Sequence, residues 1–173
     1  MRYYINVDKN ILEMSIDNIC KTIFDRLKSM SGLPTHIHSG PSESTQAVAT
    51  KLCELSGVVG FDIDDNMIYY QYPIFDTKKN TDIEWFNFDN KVREHRDEAD
   101  KNDYKISEIH WYVTHTTFTK HFSLTCGFPV KEMKTRNSRT WILGVDLIVC
   151  GNDVKRKIFI LYPDTGEKKD VQN

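Results

Sequence analysis

Residues 142–149 read Ile-Leu-Gly-Val-Asp-Leu-Ile-Val, an apolar run that is interrupted by one glycine and one aspartate. The run is short and rich in β-branched residues, so it predicts a largely buried strand over Trp141–Val149. A carboxylate inside an apolar strand costs free energy unless it is paired or reaches water. Asp146 therefore has two interpretations, either a ligand-binding group or a carboxylate on a partly solvated face that pairs with a lysine.

Further strands are predicted on both sides of this run. Ile106–Val113 and Thr116–Cys126 precede it, and Arg156–Tyr162 follows it after Gly151-Asn152-Asp153. Within 116–126, apolar side chains alternate with hydroxyl and imidazole groups, which gives the predicted strand one core face and one polar face. The polar face is either an ordinary solvated surface or a wall that hydrogen-bonds a small ligand.

The amino-terminal part of the chain predicts one strand and two helices. Tyr3–Val7 is the strand, and apolar residues then recur every three or four positions from Leu12 to Met30, before Gly32. This long amphipathic helix packs on the sheet or forms the seam of a homodimer. A second helix is predicted from Pro41 to the stop at Gly57.

The middle of the chain predicts a hairpin and a surface helix. Val58–Ile63 and Met67–Phe75 flank the turn-forming residues 64–66, and Asn90–Ala99 is charged and helical in pattern. Helices followed by antiparallel strands indicate the α+β class. The expectation is a single domain over residues 1–173, with a central antiparallel sheet of about five strands and two helices packed on it.

Composition narrows the classes of function. The chain has 173 residues, of which 39% are hydrophobic and 28% charged, and its formal net charge is −2, so no strong positive field favours nucleic acid. No apolar run is long enough to span a bilayer, and Met1–Asn6 lacks the apolar core of a signal peptide. The four cysteines are scattered, which predicts free thiols, and no cofactor is expected.

Two histidine patterns match a catalytic motif but lack the spacing that its chemistry requires. His115-Thr116-Thr117 and His121-Phe122-Ser123 each match the His-x-Thr/Ser unit of two-histidine phosphoesterases. On one predicted strand the two units would lie about 20 Å apart, whereas those enzymes place them on facing strands. His110 could join them in a metal cluster, but no acidic ligand is evident nearby in the sequence.

Two further motifs have ordinary explanations. His36, His38 and Glu43 have the spacing of a cupin metal motif, but Glu43 falls in the first turn of a predicted helix, where the helix dipole already favours a carboxylate. Asp164-Thr165-Gly166 matches the aspartic-protease triplet once only, which indicates a turn. The sequence contains no nucleophile elbow, Walker loop or dinucleotide fingerprint.

The region Trp111–Val149 resembles the PAS-like sensory modules called Cache (PDC) domains of bacterial signal-transduction proteins. The similar features are the Trp111-Tyr112 pair before the Thr-rich stretch Thr114–Thr119, a Pro129-Val130 step, and Leu143-Gly144-Val145-Asp146. The long helix Ile11–Ser31 leading into the sheet is also similar to that family. The membrane-spanning helices that normally flank such modules are missing here, and the chain continues into another strand.

This resemblance implies a small-molecule sensor with no chemistry of its own. Asp146 would bind the ammonium group of an amino acid or amine, and the rest of the pocket would come from Trp111, Tyr112, Thr114 and Thr117. The domain would be extracytoplasmic if it was excised from a membrane receptor, and cytoplasmic otherwise. A homodimer through the amino-terminal helix is possible, and no nucleic acid partner is expected.

Two other hypotheses stay open. One is a small hydrolase or phosphoesterase that uses His115, His121 and other histidines. The other is a viral or mobile-element accessory protein that binds another protein, which the Asn, Lys, Ile and Asp content permits. Loss of turnover in histidine variants would favour the enzyme, and loss of ligand binding in an Asp146 variant would favour the sensor.

Overall fold

The computed structural model describes residues 1–71, 78–102, 107–128, 130, 140–150 and 153–171. Within these residues seven strands form one sheet: β1 Arg2–Asn6, β2 His36–Ser39, β3 Asp62–Ile63, β4 His110–Thr114, β5 Trp141–Cys150, β6 Asp153–Leu161 and β7 Lys168–Asp170. The helices are α1 Ile16–Ser31, α2 Glu43–Ser56, α3 Lys78–Asn102 and α4 Thr116–Thr125, with a 3-10 turn at Ile11–Glu13. No helix in these ranges is long and apolar enough to cross a membrane.

The strand order β3-β2-β4-β1-β5-β6-β7 divides the sheet into two halves. Strands β3, β2, β4 and β1 run parallel, and β5, β6 and β7 continue as an antiparallel meander from β1. Parallel neighbours need crossover connections, which helices supply. The chain leaves β1 towards β2 but leaves β4 towards β5, in opposite directions across the sheet. The pair β1–β4 is therefore a topological switch point.

Alternating side chains of the central strands build a core on each face of the sheet. Tyr3 of β1 and Trp111 of β4 pack with buried residues of α1 and α2, including Leu27 and Leu52. Their neighbours Tyr4 and Tyr112 face the other way and pack with buried residues of α3 and α4, namely Phe88, Val92, Phe118 and Phe122. The sheet is thus covered by helices on both faces, as expected for a sheet with parallel strands.

The prediction of a PAS-like, five-stranded antiparallel sheet in the α+β class is wrong, because half of the sheet is parallel and helices cover both faces. Strand β2 has four residues and reads as a polar loop, so nothing in the local pattern indicates a central strand. Strand β3 has two residues and pairs in parallel with β2. Residues 67–71, the described part of the second strand of the predicted hairpin of 58–63 with 67–75, form no strand. Residues 72–77 lie outside the described residues.

The predicted strand Thr116–Cys126 is helix α4. Phe118 and Phe122, which are both buried, lie four positions apart, and this spacing fits one face of a strand as well as one face of a helix. The threonines of this segment then favour a strand, because threonine is common in strands. The expected polar wall is therefore a helix, and its Thr119, His121 and Ser123 are buried.

Several predicted elements are confirmed. Strands β1, β5 and β6 match the predicted strands at Tyr3–Val7, Trp141–Val149 and Arg156–Tyr162, and α1 and α2 match the two predicted helices. The second helix packs on the first. Asn90–Ala99 is helical but belongs to α3, which buries Val92, His95 and Ala99. The Pro-Val step at 129–130 and the turn at 151–153 fall partly outside the described residues.

Candidate functional site

Strands β1, β2 and β4 end together at one edge of the sheet, which we call the carboxyl-end edge. Asn6 of β1 is in register with Thr114 of β4, and Ser39 of β2 is in register with Val113. In open α/β sheets, ligands bind outside the carboxyl ends of the strands at a topological switch point. This edge is therefore the first place to look for a functional site.

His115 follows β4 directly and is held at both ring nitrogens. Its Nδ1 lies 3.0 Å from the carbonyl oxygen of Val7, just after β1, and its Nε2 lies 2.8 Å from Ser42 Oγ. A carbonyl oxygen can only accept, so Nδ1 carries the proton and Nε2 accepts from the Ser42 hydroxyl. Burial lowers the pKa of His115, so the ring is neutral at pH 7. The geometry is that of a base aimed at a hydroxyl.

Ser42 reaches His115 because the chain turns sharply between β2 and α2. A Cβ on Gly40 would approach the carbonyl oxygen of Met67 to 2.6 Å, so only glycine fits at the turn. Ser42 is the N-cap of α2, and its Oγ accepts from the Thr45 backbone N–H at 3.3 Å. The serine is half-buried, and these contacts orient its hydroxyl.

Two helices begin at this pair. Ser42 caps α2, and His115 occupies the N-cap position of α4, where no side chain caps the first turn. The amino end of a helix carries unpaired N–H groups and a partial positive charge, which favour an anion. Two such ends meeting at one hydroxyl–imidazole pair make the carboxyl-end edge suitable for an anionic group.

Two buried polar atoms next to the pair have no hydrogen-bond partner among the residues that the structure describes. Asn6 Oδ1 and Thr114 Oγ1 lie on adjacent strands, are inaccessible, and make no hydrogen bond. Asn6 Nδ2, in contrast, donates to the carbonyl oxygens of Tyr4 and Trp141. Most buried polar atoms in proteins are hydrogen-bonded, so two such oxygens without a hydrogen bond on adjacent strands are unusual.

No arginine in the described part of the chain bonds to the groups of this edge. Arg26 donates to the Pro163 carbonyl, Arg93 pairs with Asp89, and Arg156 pairs with Asp100. Within the described residues, the electrostatic stabilisation at this edge therefore comes from helix ends and neutral donors. Such donors bind an anion less strongly than a bidentate guanidinium does.

A second polar group, Asp64–His95–Tyr4, lies beside an open cavity of about 370 Å³ on the α3 side of the sheet. His95 Nδ1 is 2.6 Å from Asp64 Oδ2, and its Nε2 is 2.9 Å from Tyr4 Oη. Burial raises the pKa of Tyr4, so the hydroxyl donates to Nε2 and Nδ1–H donates to Asp64. Burial opposes ionisation of Asp64, but the hydrogen bond from His95 lowers the pKa of this carboxyl. Every polar group of this trio is satisfied, which fits a structural tie between α3 and the sheet.

The structure separates the five residues predicted to bind an amine. Trp111 packs with α1 and α2, whereas Tyr112 packs on the opposite face of the sheet. Asp146 of β5 lies opposite Lys157 of β6. Its neighbour Val145 pairs with the first residue of β1, at the other end of that strand from the carboxyl-end edge. Only Thr114 and Thr117 lie at the carboxyl-end edge, at the end of β4 and in the first turn of α4. Binding of an amine or amino acid by these residues stays a prediction.

The histidines of the motifs that the sequence suggested lie at both edges of the sheet and in the core. His121 is buried and lies 2.7 Å from Asp89 of α3, so it does not face His115. His36 and His38 lie on β2, while Glu43 is exposed in the first turn of α2. The Asp164-Thr165-Gly166 triplet forms the turn before β7, as expected. Sequence reasoning missed Ser42 as a partner of His115; its only local signal was its N-cap position.

Comparisons with known proteins find similar structures but no related sequence. No protein-family model matches the chain, and no curated protein matches it in sequence. A phosphoglycerate mutase from Plasmodium falciparum is 9% identical, with a TM-score of 0.59 over 93% of this chain and 100% of the other. A mycobacterial glucosyl-3-phosphoglycerate phosphatase, solved with VO3, is 11% identical, with a TM-score of 0.57 over 91% and 94%. YhfR of Bacillus stearothermophilus is 12% identical, with a TM-score of 0.51 over 90% and 95%.

These similarities establish the α/β fold of phosphoglycerate mutase-like histidine phosphatases. They overturn the resemblance to Cache or PAS-like sensory domains, and with it the interpretation as a bacterial signal-transduction module. The resemblance misled because its decisive features were an apparent Thr-rich strand, which is α4, and a Gly–Asp strand, which belongs to the meander. Identities of 9–12% carry the fold alone.

Proposed function

We propose that the protein is a phosphoesterase that binds a phosphomonoester at the carboxyl-end edge and hydrolyses it with Ser42 and His115. The observation that carries the proposal is the 2.8 Å contact between His115 Nε2 and Ser42 Oγ, with Nδ1 oriented by the Val7 carbonyl. A nucleophile, its base and a group that orients the base are the three parts of an activated hydroxyl. This proposal retains the hypothesis of a hydrolase or phosphoesterase that uses His115. The partner of His115 is Ser42, however, and not His121.

The phosphate class is supported by two features. The amino ends of α2 and α4 converge on the pair, and helix amino ends favour phosphate groups. In addition, the structurally similar mutase and phosphatase are both named for phosphorylated substrates. The ring of Tyr69 meets His115 edge-on at 5.1 Å and is 41% exposed, so an apolar leaving group could pack against it.

The reaction has two phosphoryl-transfer steps. Ser42 Oγ attacks phosphorus while its proton moves to His115 Nε2, and the bond from phosphorus to the leaving oxygen breaks. The leaving oxygen takes the proton from Nε2 and departs as an alcohol. Water then attacks the phosphoserine and gives its proton to Nε2, which returns it to Ser42 Oγ as inorganic phosphate leaves. The two helix ends stabilise the charge on the equatorial oxygens in both steps.

Hydrolysis of p-nitrophenyl phosphate by wild-type protein and variants tests this assignment. Ser42→Ala and His115→Gln should each lower kcat/KM by about 100-fold or more, because each removes one member of the nucleophile–base pair. Ser29→Ala is the matched control, since Ser29 is exposed on α1 and far from the pair in the fold. Turnover that survives both substitutions in folded protein would show that the pair does no chemistry.

A second candidate is a phosphate-binding protein of the same fold that has no turnover. It is favoured by the lack of an arginine bonded to this edge within the described residues, and by the capping role of Ser42. Binding of inorganic phosphate that His115→Gln abolishes, without hydrolysis by the wild type, would select this candidate over the enzyme.

A further inference from the structure

Three metal-ligating side chains meet at the opposite edge of the sheet. His36 is the first residue of β2, His110 is the first residue of β4, and the two are in register. Glu108 lies just before β4. One ligand atom from each residue lies within 4.8 Å of the others. We call His36, Glu108 and His110 the amino-end cluster.

Hydrogen bonds already orient two of the three side chains. His110 Nε2 lies 3.0 Å from Glu108 Oε2, and His110 Nδ1 lies 3.0 Å from His38 Nε2. The carboxylate accepts, so the proton of neutral His110 is on Nε2 and Nδ1 accepts from His38. The 3.0 Å between Glu108 Oε2 and His110 Nε2 is a few tenths of an ångström less than the spacing of two ligand atoms on zinc, which is about 3.4 Å for tetrahedral bonds of 2.0–2.2 Å.

The remaining ligand is the side chain that can turn. His36 is exposed, its ring is stacked on His110 at 4.6 Å with an interplanar angle of 7°, and its Nδ1 contacts Thr35 Oγ1 at 3.1 Å. A metal lies in the plane of each imidazole that binds it, so two parallel rings cannot share one. Because His36 is exposed, its ring can leave the stack without disturbing a buried side chain.

We propose that the amino-end cluster binds Zn²⁺ through His36, Glu108 and His110, with water as the fourth ligand. Two imidazoles and one carboxylate are a ligand set that zinc uses in proteins. His110 would bind through Nε2 and carry its proton on Nδ1, which then donates to His38 Nε2. A metal-bound histidine almost always donates its second N–H in this way, so His38 orients the ligand without binding the metal.

The proposed metal is independent of the proposed hydrolysis. His110 and His115 lie at opposite ends of β4, about 16 Å apart along an extended strand. Bound zinc would tie the start of β2 to the start of β4, two strands that a long stretch of chain separates. The expected consequence is a more stable parallel half of the sheet, with no role for the metal in phosphoryl transfer.

The cluster also corrects the cupin-type combination of His36, His38 and Glu43. Of its two histidines, only His36 belongs to the amino-end cluster, where the other two ligands are Glu108 and His110. His38 contacts His110 Nδ1 instead. Glu43 belongs to α2, which begins beyond the other end of β2. Glu43→Gln and Glu108→Gln make the same chemical change, and they therefore form a matched pair of variants.

Calorimetric titration of the EDTA-treated full chain with ZnCl2 tests the proposal, together with Co²⁺ as a spectroscopic substitute. One equivalent should bind with the visible spectrum of a tetrahedral Co²⁺ centre, and zinc should raise Tm. His36→Ala and Glu108→Gln should each weaken zinc binding by about tenfold or more, while Glu43→Gln binds as the wild type does.

Three results would overturn the proposal. The first is no saturable binding of zinc to the wild type. The second is an affinity for zinc in His36→Ala and Glu108→Gln that equals that of the wild type, and the third is a loss of affinity in Glu43→Gln alone. Phosphomonoester hydrolysis measured in EDTA is a separate readout, so failure of the zinc site leaves the assignment of Ser42 and His115 unaffected, and the reverse is also true.

Discussion

Gly144 shows how a residue that suggests function from the sequence can have a packing role. It lies on β5 directly opposite Phe159 of β6, and a Cβ at this position would overlap the phenyl ring. The ring also packs edge-on against Tyr3 at 6.2 Å and lies under Lys168 Nζ at 4.1 Å. The glycine is therefore required because an aromatic side chain from the next strand covers it.

Gly144→Ala should destabilise the protein by roughly 1–3 kcal/mol, because the added methyl group forces Phe159 out of a packed position. Urea unfolding of both proteins measures this difference. Gly60→Ala is the control, since a Cβ there meets no atom within 4 Å. A free energy of unfolding that is the same for Gly144→Ala and Gly60→Ala would show that the ring moves without cost.

His115 and His121 show how two similar motifs acquire different roles. His115 has a backbone carbonyl at Nδ1 and a half-buried hydroxyl at Nε2, whereas His121 pairs with the carboxylate of Asp89 between two helices. The sequence offers the same His-x-Thr/Ser pattern at both positions. Only the partners, which come from β1, α2 and α3, distinguish a candidate base from a packing contact.

At the level of elements, the sequence predicts the long and strongly patterned segments. Strands β1, β5 and β6 and helices α1 and α2 have apolar repeats that reveal their type. The sequence predicts a strand in place of helix α4, because the spacing of Phe118 and Phe122 fits both the two-residue period of a strand and the 3.6-residue period of a helix. Strand β2 was missed because its hydrogen bonds are made to β4 and β3, whose positions no local pattern encodes.

The same limit applies to the candidate site. Thr114 and His115 were singled out from the sequence, but Ser42 was not, because Ser42 and His115 are separated by 73 positions. Their contact depends on β2 and β4 being parallel neighbours, and therefore on the order of the strands. The amino-end cluster has the same origin, since the register of His36 with His110 follows from that pairing.

The whole molecule presents two chemically different edges. The carboxyl-end edge has two helix amino ends and a hydroxyl–imidazole pair, and the amino-end edge has stacked imidazoles and a carboxylate. An anion fits the first edge and a cation fits the second. The parallel half of the sheet separates the two, so their ligands should bind independently.

Stability should fall as the solution is acidified. Burial lowers the pKa of His115, and lowers the pKa of His38 to about 4, relative to about 6.5 in the unfolded chain. The unfolded state then binds protons more readily, so the stabilisation is complete above pH 6.5 and is lost as pH falls towards the folded-state values. Thermal unfolding in EDTA should give a lower Tm at pH 5 than at pH 7.

The contribution of His115 to this loss can be isolated. His115→Gln should unfold with a smaller drop in Tm between pH 7 and pH 5, because the substituted side chain does not titrate. Below that range, protonation of Asp64, whose folded-state pKa is also lowered, should remove further stability. A Tm that is constant from pH 7 to pH 5 would mean that these imidazoles protonate without cost in the folded protein.

The central claim is that the carboxyl-end edge binds a phosphate group at His115. The most direct measurement is a titration with inorganic phosphate, followed through the imidazole NMR signals of the six histidines. We predict saturable shifts of the His115 signals with little change at His121, which is buried against Asp89. Signals of His115 that stay constant, while those of another histidine move, would contradict the account.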